Sequence, residues 1–453
     1  MFNGNLPLIL TVWMLVILAM MITRKHKGNA GVGLVLTFVL NLWLMHWAAS
    51  LIYLFPWYNG PYRESTTLGT EMSLYAVMAF AFGSLAVAPL VLDVGIVPRA
   101  NGIHQPDSRL PKAYLAVGGI FYVLLSTKFG SLPTLNSIIA AGQELTVIGL
   151  GLCCWQAWKK RDYKQLTFWL GMSLLPPLLT IVTRGFIGYG AGATLSVLIF
   201  LSNFVRTRSK VFVAGALLGY LGISVYVTYM RDRREIRNSV WGGQSYSDRF
   251  DRLSQTASDF EWFDPANQQH LARVDKRLNQ SYLVGIAMAR LNETGDFANG
   301  ETLFDALLSL VPRALWPEKP ITAGSGNLVS RFTGINYAAG TSIGIGQVME
   351  FYVNFGTTGV LIGFILFGVI ITLLDILATE RLANGDLHGF VLFYLPGLGF
   401  LQVGGQLVEV TASAGASLVV AIIVNRFLDR LQRKHIAGLA IGSAGGLAAG
   451  DPA

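Results

Sequence analysis

Eleven apolar runs of membrane-spanning length constrain this chain more than any other feature. They fall near residues 6–23, 31–55, 72–93, 113–129, 135–157, 166–183, 189–205, 211–229, 357–378, 389–404 and 412–428. A run of roughly 16 to 25 residues can cross the hydrocarbon layer as a helix, where every backbone polar group must find its partner within the protein. The expected fold is therefore an all-α polytopic membrane protein with about 11 transmembrane helices. Composition agrees: 53% of the 453 residues are hydrophobic and only 13% are charged, about half the share of an ordinary soluble domain. The first run ends in Arg24-Lys25-His26-Lys27 without a small-residue cleavage site, so it is read as a retained helix. Cys153 and Cys154 are adjacent inside an apolar run and read as packing residues, not as a disulfide or a metal site.

One long polar interval interrupts the pattern and divides the chain. Residues 1–229 carry helices one to eight, 230–356 form a large and mostly helical loop, 357–436 carry helices nine to eleven, and 437–453 read as a flexible Gly- and Ala-rich tail. The interval holds 13 Lys plus Arg against 14 Asp plus Glu, a net −1, so the rest of a chain of net charge +8 carries +9. That surplus sits in alternate short connections, where the positive-inside bias puts the cytoplasm. The loop, the N-terminus and Arg184 to Tyr189 then face outward, and the C-terminus faces the cytoplasm. Basic residues spread in this way offer no surface for nucleic acid.

Within the interval, 229–237 should continue the eighth helix, 247–259 has helical character, 268–291 reads as one longer helix, and 302–310 as a short one stopped by Pro312. The Gly- and Asn-containing stretch 322–342 reads as a loop or lid. The interval is too weakly apolar to stand alone and should lean on the membrane helices. Near Ser131-Leu132-Pro133 the following amphipathic stretch, with Asn136, Gln143 and Glu144, is open between a helical hairpin and a re-entrant piece.

Several polar residues could carry chemistry. Arg184, in Thr183-Arg184-Gly185 at the outer end of the sixth helix, is a permanent cation with a planar donor fork suited to phosphate; otherwise it snorkels to lipid headgroups. In Met230-Arg231-Asp232-Arg233-Arg234-Glu235-Ile236-Arg237, Arg231 and Arg234 share a helical face that Arg237 extends, a basic strip that could grip an anionic lipid carrier, or be laced by Asp232 and Glu235. Pro312-Arg313-Ala314-Leu315-Trp316-Pro317-Glu318-Lys319-Pro320 sets Arg313, Trp316 and Lys319 on rigid turns, with the indole suited to a sugar face or a membrane interface. Gln347, Glu350 and Asn354 share a face leading into the ninth helix, and Glu350 at a water boundary would be a usable base; the alternative is a carboxylate favoured by a helix N-terminus. Gln402, Gln406, Glu409 and Glu144 are pocket candidates because polar groups at membrane depth face a bundle interior. His270 reads as a surface residue. The sequence has no metal-ligand spacing and no P-loop, so no cofactor is expected.

With Thr183-Arg184-Gly185, residues 312–320 and Glu350-Phe351-Tyr352-Val353-Asn354-Phe355-Gly356 in view, the chain resembles the Wzy-type oligosaccharide repeat-unit polymerases of O-antigen or exopolysaccharide synthesis, related to the O-antigen ligases. The resemblance covers the layout of spans, the late loop and the helix-ending arginine. It implies a GT-C-like scaffold in the bacterial inner membrane and metal-independent glycosyl transfer from an undecaprenyl-diphosphate-linked glycan. Arg184, Arg231 and Arg313 would steady the departing diphosphate, Glu350 would activate or orient the acceptor, and Trp316 and Tyr352 would stack on sugar. Arg234, Lys319, Asn354, Gln406 and Glu409 complete the binding set. Membrane lipids, and by the same resemblance a chain-length co-polymerase, would be partners. The competing expectations are ligase-like transfer to another acceptor, a lipid-linked oligosaccharide transporter, and an assembly scaffold.

Overall fold

The computed structural model describes residues 4–26, 31–95, 107–125, 127–205, 208–311, 316, 318–319, 324–337, 341 and 343–447, with side chains through residue 433 except at 128, 131, 133, 134 and 208. Every described element is helical. Eight helices are long and apolar enough to cross a membrane: α1 (Leu6–His26), α2 (Leu34–Leu54), α3 (Arg63–Asp93), α5 (Leu135–Lys159), α6 (Tyr163–Arg184), α8 (Ser209–Trp241), α14 (Gln347–Ala383) and α16 (Leu407–Arg433). The other three apolar runs form shorter helices, α4 (Leu110–Leu125), α7 (Gly188–Ser202) and α15 (Leu387–Gly399). The last helix runs on to Leu447, over most of the stretch expected as a flexible tail.

Between α8 and α14 lie α9 (Tyr246–Ser258), α10 (Gln268–Leu278), α11 (Ser281–Thr294), α12 (Glu301–Ser309) and α13 (Ser325–Thr333). The stretch expected as one helix over 268–291 is two, because Asn279 is extended and its Nδ2 donates to Thr66 and Asp275. Helix α13 lies inside the stretch expected as a lid.

These helices do not form a separate body. Leu283, Val284, Ala287 and Leu291 of α11 belong to the main core, with α11 packed on α3 and α14. The approach is backbone to backbone: a Cβ on Gly285 would stand 1.9 Å from the Ser65 carbonyl oxygen, and one on Gly69 1.9 Å from that of Ser281. Only glycine permits that crossing. Helix α10 packs Leu271 and Val274 against Leu6, Leu10 and Ile52. Its Asp275 is buried and accepts hydrogen bonds from the Tyr53 and Tyr58 hydroxyls, each 2.7 Å.

We call this end of the bundle the lobe end and the opposite one the tail end. The tail end is closed by a buried ion pair, Arg24 to Asp375 at 2.9 Å. Arg24 also donates to Ser84 and Thr372, while the second Asp375 oxygen accepts from the backbone N–H groups of Val32, Gly33 and Leu34 at the start of α2. Ser84 is presented by a π-helical turn over Gly83–Val87, a local widening that turns its hydroxyl inward. Arg24, expected among the loop charges of the cytoplasmic face, is instead a core residue because Asp375 meets it there.

Candidate functional site

Arg184 closes α6, and the next residue, Gly185, takes the left-handed conformation (φ +72) that stops the helix. Its Nη2 donates to Oε1 of buried Gln143 at 2.7 Å, and the guanidinium lies over the rings of Tyr122 (5.2 Å) and Tyr189 (5.6 Å). Tyr122 is held by a 2.9 Å hydroxyl contact with Thr183. Glu144, beside Gln143, is close enough to Arg184 for their charges to attract, yet the two form no direct ion pair. One cation, one half-buried carboxylate and two aromatic faces therefore meet at the lobe end, contributed by α4, α5, α6 and α7.

Arg231 is placed differently. It donates to both oxygens of Asp232 (2.8 and 3.0 Å), to Glu261 (3.0 Å) and to the Asp259 carbonyl (2.5 Å). Arg252 pairs with Glu235 and Asp232, and Arg273 with Glu261 at 2.8 Å. Burial alone would raise the Glu261 carboxyl, but hydrogen bonds from Arg273, Arg231 and His270 outweigh it and hold the group down at about 2. His270, expected at the surface, is buried in this network. Its Nδ1 accepts from the Asp264 N–H, so Nε2 carries the hydrogen and faces Glu261 at 3.2 Å. Arg234 is exposed on the same side of α8.

The opposite face of α8 carries a different set. Arg233 and Arg237, one helical turn apart, lie beside the Tyr229 hydroxyl, and Arg277 of α10 faces both. Among the described residues none of these three arginines makes an ion pair, and Nε of Arg237 has no hydrogen-bond partner. Arg237 is sandwiched by Phe186 (4.1 Å) and Trp241 (5.2 Å), while Trp241 Nε1 donates to the Arg184 carbonyl. The sequence placed Arg237 in a strip with Arg231 and Arg234 and passed over its grouping with Arg233 and Arg277. Its signal was present in the 3.6-residue period, which puts Tyr226, Tyr229, Arg233 and Arg237 on one face and Arg231 and Glu235 on the other.

Glu350 is wholly buried, not at a water boundary. One oxygen accepts from the Leu407 N–H at 2.6 Å and the other has no partner. Around it, Asn354 donates to Thr302 and to the Glu350 carbonyl, Gln347 donates to the Gln402 carbonyl, and Glu409 accepts from the Gln406 N–H. The group ties the start of α14 to the start of α16 just before a kink at Phe355 and Gly356. Tyr352 is buried, donating to Asn292. Trp316 is 39% exposed and Lys319 donates to the Val311 carbonyl. Arg313 lies outside the described residues. Arg184 and the Glu350 set thus form separate groups, and Arg231 belongs to neither.

The fold and these groups define an all-helical membrane protein with several spans and a charged, aromatic lobe end. Residues 92–431 match a family described as Domain of unknown function (DUF8712), and the chain belongs to that family. No curated protein and no solved structure matches it.

Proposed function

We propose that the chain is a membrane glycosyltransferase that polymerises undecaprenyl-diphosphate-linked oligosaccharide repeat units at the outer face of a bacterial inner membrane. In this reading the N-terminus and the lobe end face the periplasm and the C-terminus the cytoplasm, with all eleven apolar helices spanning. The observation that carries it is the Arg184 group: a cation bracketed by Tyr122 and Tyr189, fixed by Gln143, with Glu144 beside it.

The chemistry follows from those side chains. An acceptor hydroxyl oxygen attacks the anomeric carbon of the donor sugar, the bond from that carbon to the diphosphate oxygen breaks, and the hydroxyl proton passes to Glu144. Arg184 balances the charge that develops on the leaving diphosphate, and the two tyrosine rings offer faces for sugar. Glu350 has a positioning role here, because one oxygen holds the start of α16 and neither is open to water.

The test is incubation of the purified protein with a lipid-linked repeat unit, read as a ladder of lengths on a gel. Arg184→Ala, Arg313→Ala and Glu144→Gln are each expected to abolish the ladder while circular dichroism stays unchanged. An undiminished ladder in folded Arg184→Ala overturns the assignment.

A further inference from the structure

Helix α8 is unlike its neighbours. Residues 212–222 are all exposed, with Phe212 at 79% and Leu217 at 66%; Tyr220 makes an early contact, stacking on Trp262, and burial begins at Ile223 and Ser224. From Phe212 to Arg233 is 21 residues, about 31 Å of helix, the thickness of one hydrocarbon layer. Helix α8 therefore reaches headgroup depth near Arg233, where Arg233, Arg237 and Arg277 lie together without a carboxylate.

We propose that Arg233, Arg237 and Arg277 form a binding site for the phosphate-bearing headgroup of a membrane lipid whose chain lies along the exposed stem of α8. Three cations held together repel, and a multivalent anion removes that cost. The flanking Phe186 and Trp241 rings hold Arg237 in place, with its Nε buried between them and the helix. Charge complementarity selects a lipid over a second copy of the chain, because the copy's own α8 would bring three more arginines to the same depth. The site deepens the glycosyl-transfer reading by giving the donor's diphosphate a seat next to Arg184, since a Cβ on Gly185 would stand 3.3 Å from the Arg237 side chain.

The test uses the full chain in detergent, with bound lipid counted by native mass spectrometry. The probes are a short-chain polyprenyl diphosphate, a zwitterionic phosphatidylcholine and inorganic pyrophosphate. The expected order is polyprenyl diphosphate well above pyrophosphate, with phosphatidylcholine weakest. Arg233→Gln, Arg237→Gln and Arg277→Gln should each weaken the lipid complex roughly tenfold. Lys210→Gln, at the other end of the same helix, should leave it unchanged, and a triple Arg→Lys variant should retain part of it if the glutamine variants fold poorly. A photoreactive residue at Leu217 should crosslink to the lipid, with the yield falling in Arg237→Gln. Equal binding of phosphatidylcholine, pyrophosphate as tight as the lipid, an equal loss in Lys210→Gln, or a crosslink to a second chain each overturns the site. A variant that loses lipid and keeps the polymer ladder sinks the role of this site as the donor's seat and leaves the transfer reading standing; a protein that binds lipid and builds no ladder sinks the transfer reading alone.

Discussion

The two ends of the bundle handle arginine in opposite ways. At the tail end Arg24 is 3% exposed and fully answered, with Asp375 facing it and the hydroxyls of Ser84 and Thr372 filling another donor. At the lobe end Arg233 and Arg237 are half-buried beside Arg277 and no carboxylate answers them. A charge whose partner comes from its own chain holds the fold together. A charge left waiting in a built position is available to something from outside. Arg231, two residues from Arg233, makes the same point within one helix, since Asp232 and Glu261 consume its donors.

Substitutions can break this contrast. The largest effect is expected at the closed end: Asp375→Ala strands Arg24 in the core and should cost about 3–5 kcal/mol of stability, read by thermal unfolding in detergent. Gly285→Leu drives a side chain into the Ser65 backbone and should cost about 1–3 kcal/mol or more, loosening α11 from α3 in hydrogen exchange.

Glu261 gives an intermediate effect with a definite pH sign. Its carboxyl is held at about 2 in the fold, below its ordinary 4.5. The stability it contributes is therefore fully present above about pH 4.5 and is lost as pH falls toward 2. Glu261→Gln should be less stable than the parent at neutral pH, by about 1 kcal/mol for a partly exposed network, and the two curves should converge near pH 2. The smallest effect is expected at the open end. Arg237→Gln should change stability by about 0.5 kcal/mol, because the ring contacts with Phe186 and Trp241 are lost but no ion pair is broken. A loss there as large as that of Asp375→Ala would erase the distinction between the two ends.

Much of the fold was legible because hydrophobic length is a local property. Each of the eleven apolar runs is helical in the structure. The interior of the long interval was less so. Leu283 and Ala287 look like any amphipathic pattern, and only the small surfaces of Gly69 and Gly285, separated by more than two hundred residues, reveal that α11 is inserted against α3. The site was read in part. Arg184 was singled out as a permanent cation with a planar donor fork at a helix end, and the Gln143 and tyrosine contacts show what holds it. Glu144 was legible as a polar residue at depth, but not as the neighbour of Arg184. Arg231 was taken as the diphosphate-facing member of its cluster, whereas which face a residue occupies decides whether it meets an acid. Asp375, the partner of Arg24, was not singled out at all, because one acid in an apolar run carries no pattern until the chain closes around it.

That closure has a consequence for how the protein is made. Arg24 and Asp375 are 351 positions apart. A ribosome delivers the first helix long before the fourteenth exists, so the nascent guanidinium must rest at the aqueous rim of the translocation machinery until its counter-ion arrives. Insertion is then completed by a late latch, and a chain truncated before Asp375 would leave its opening hairpin unsealed.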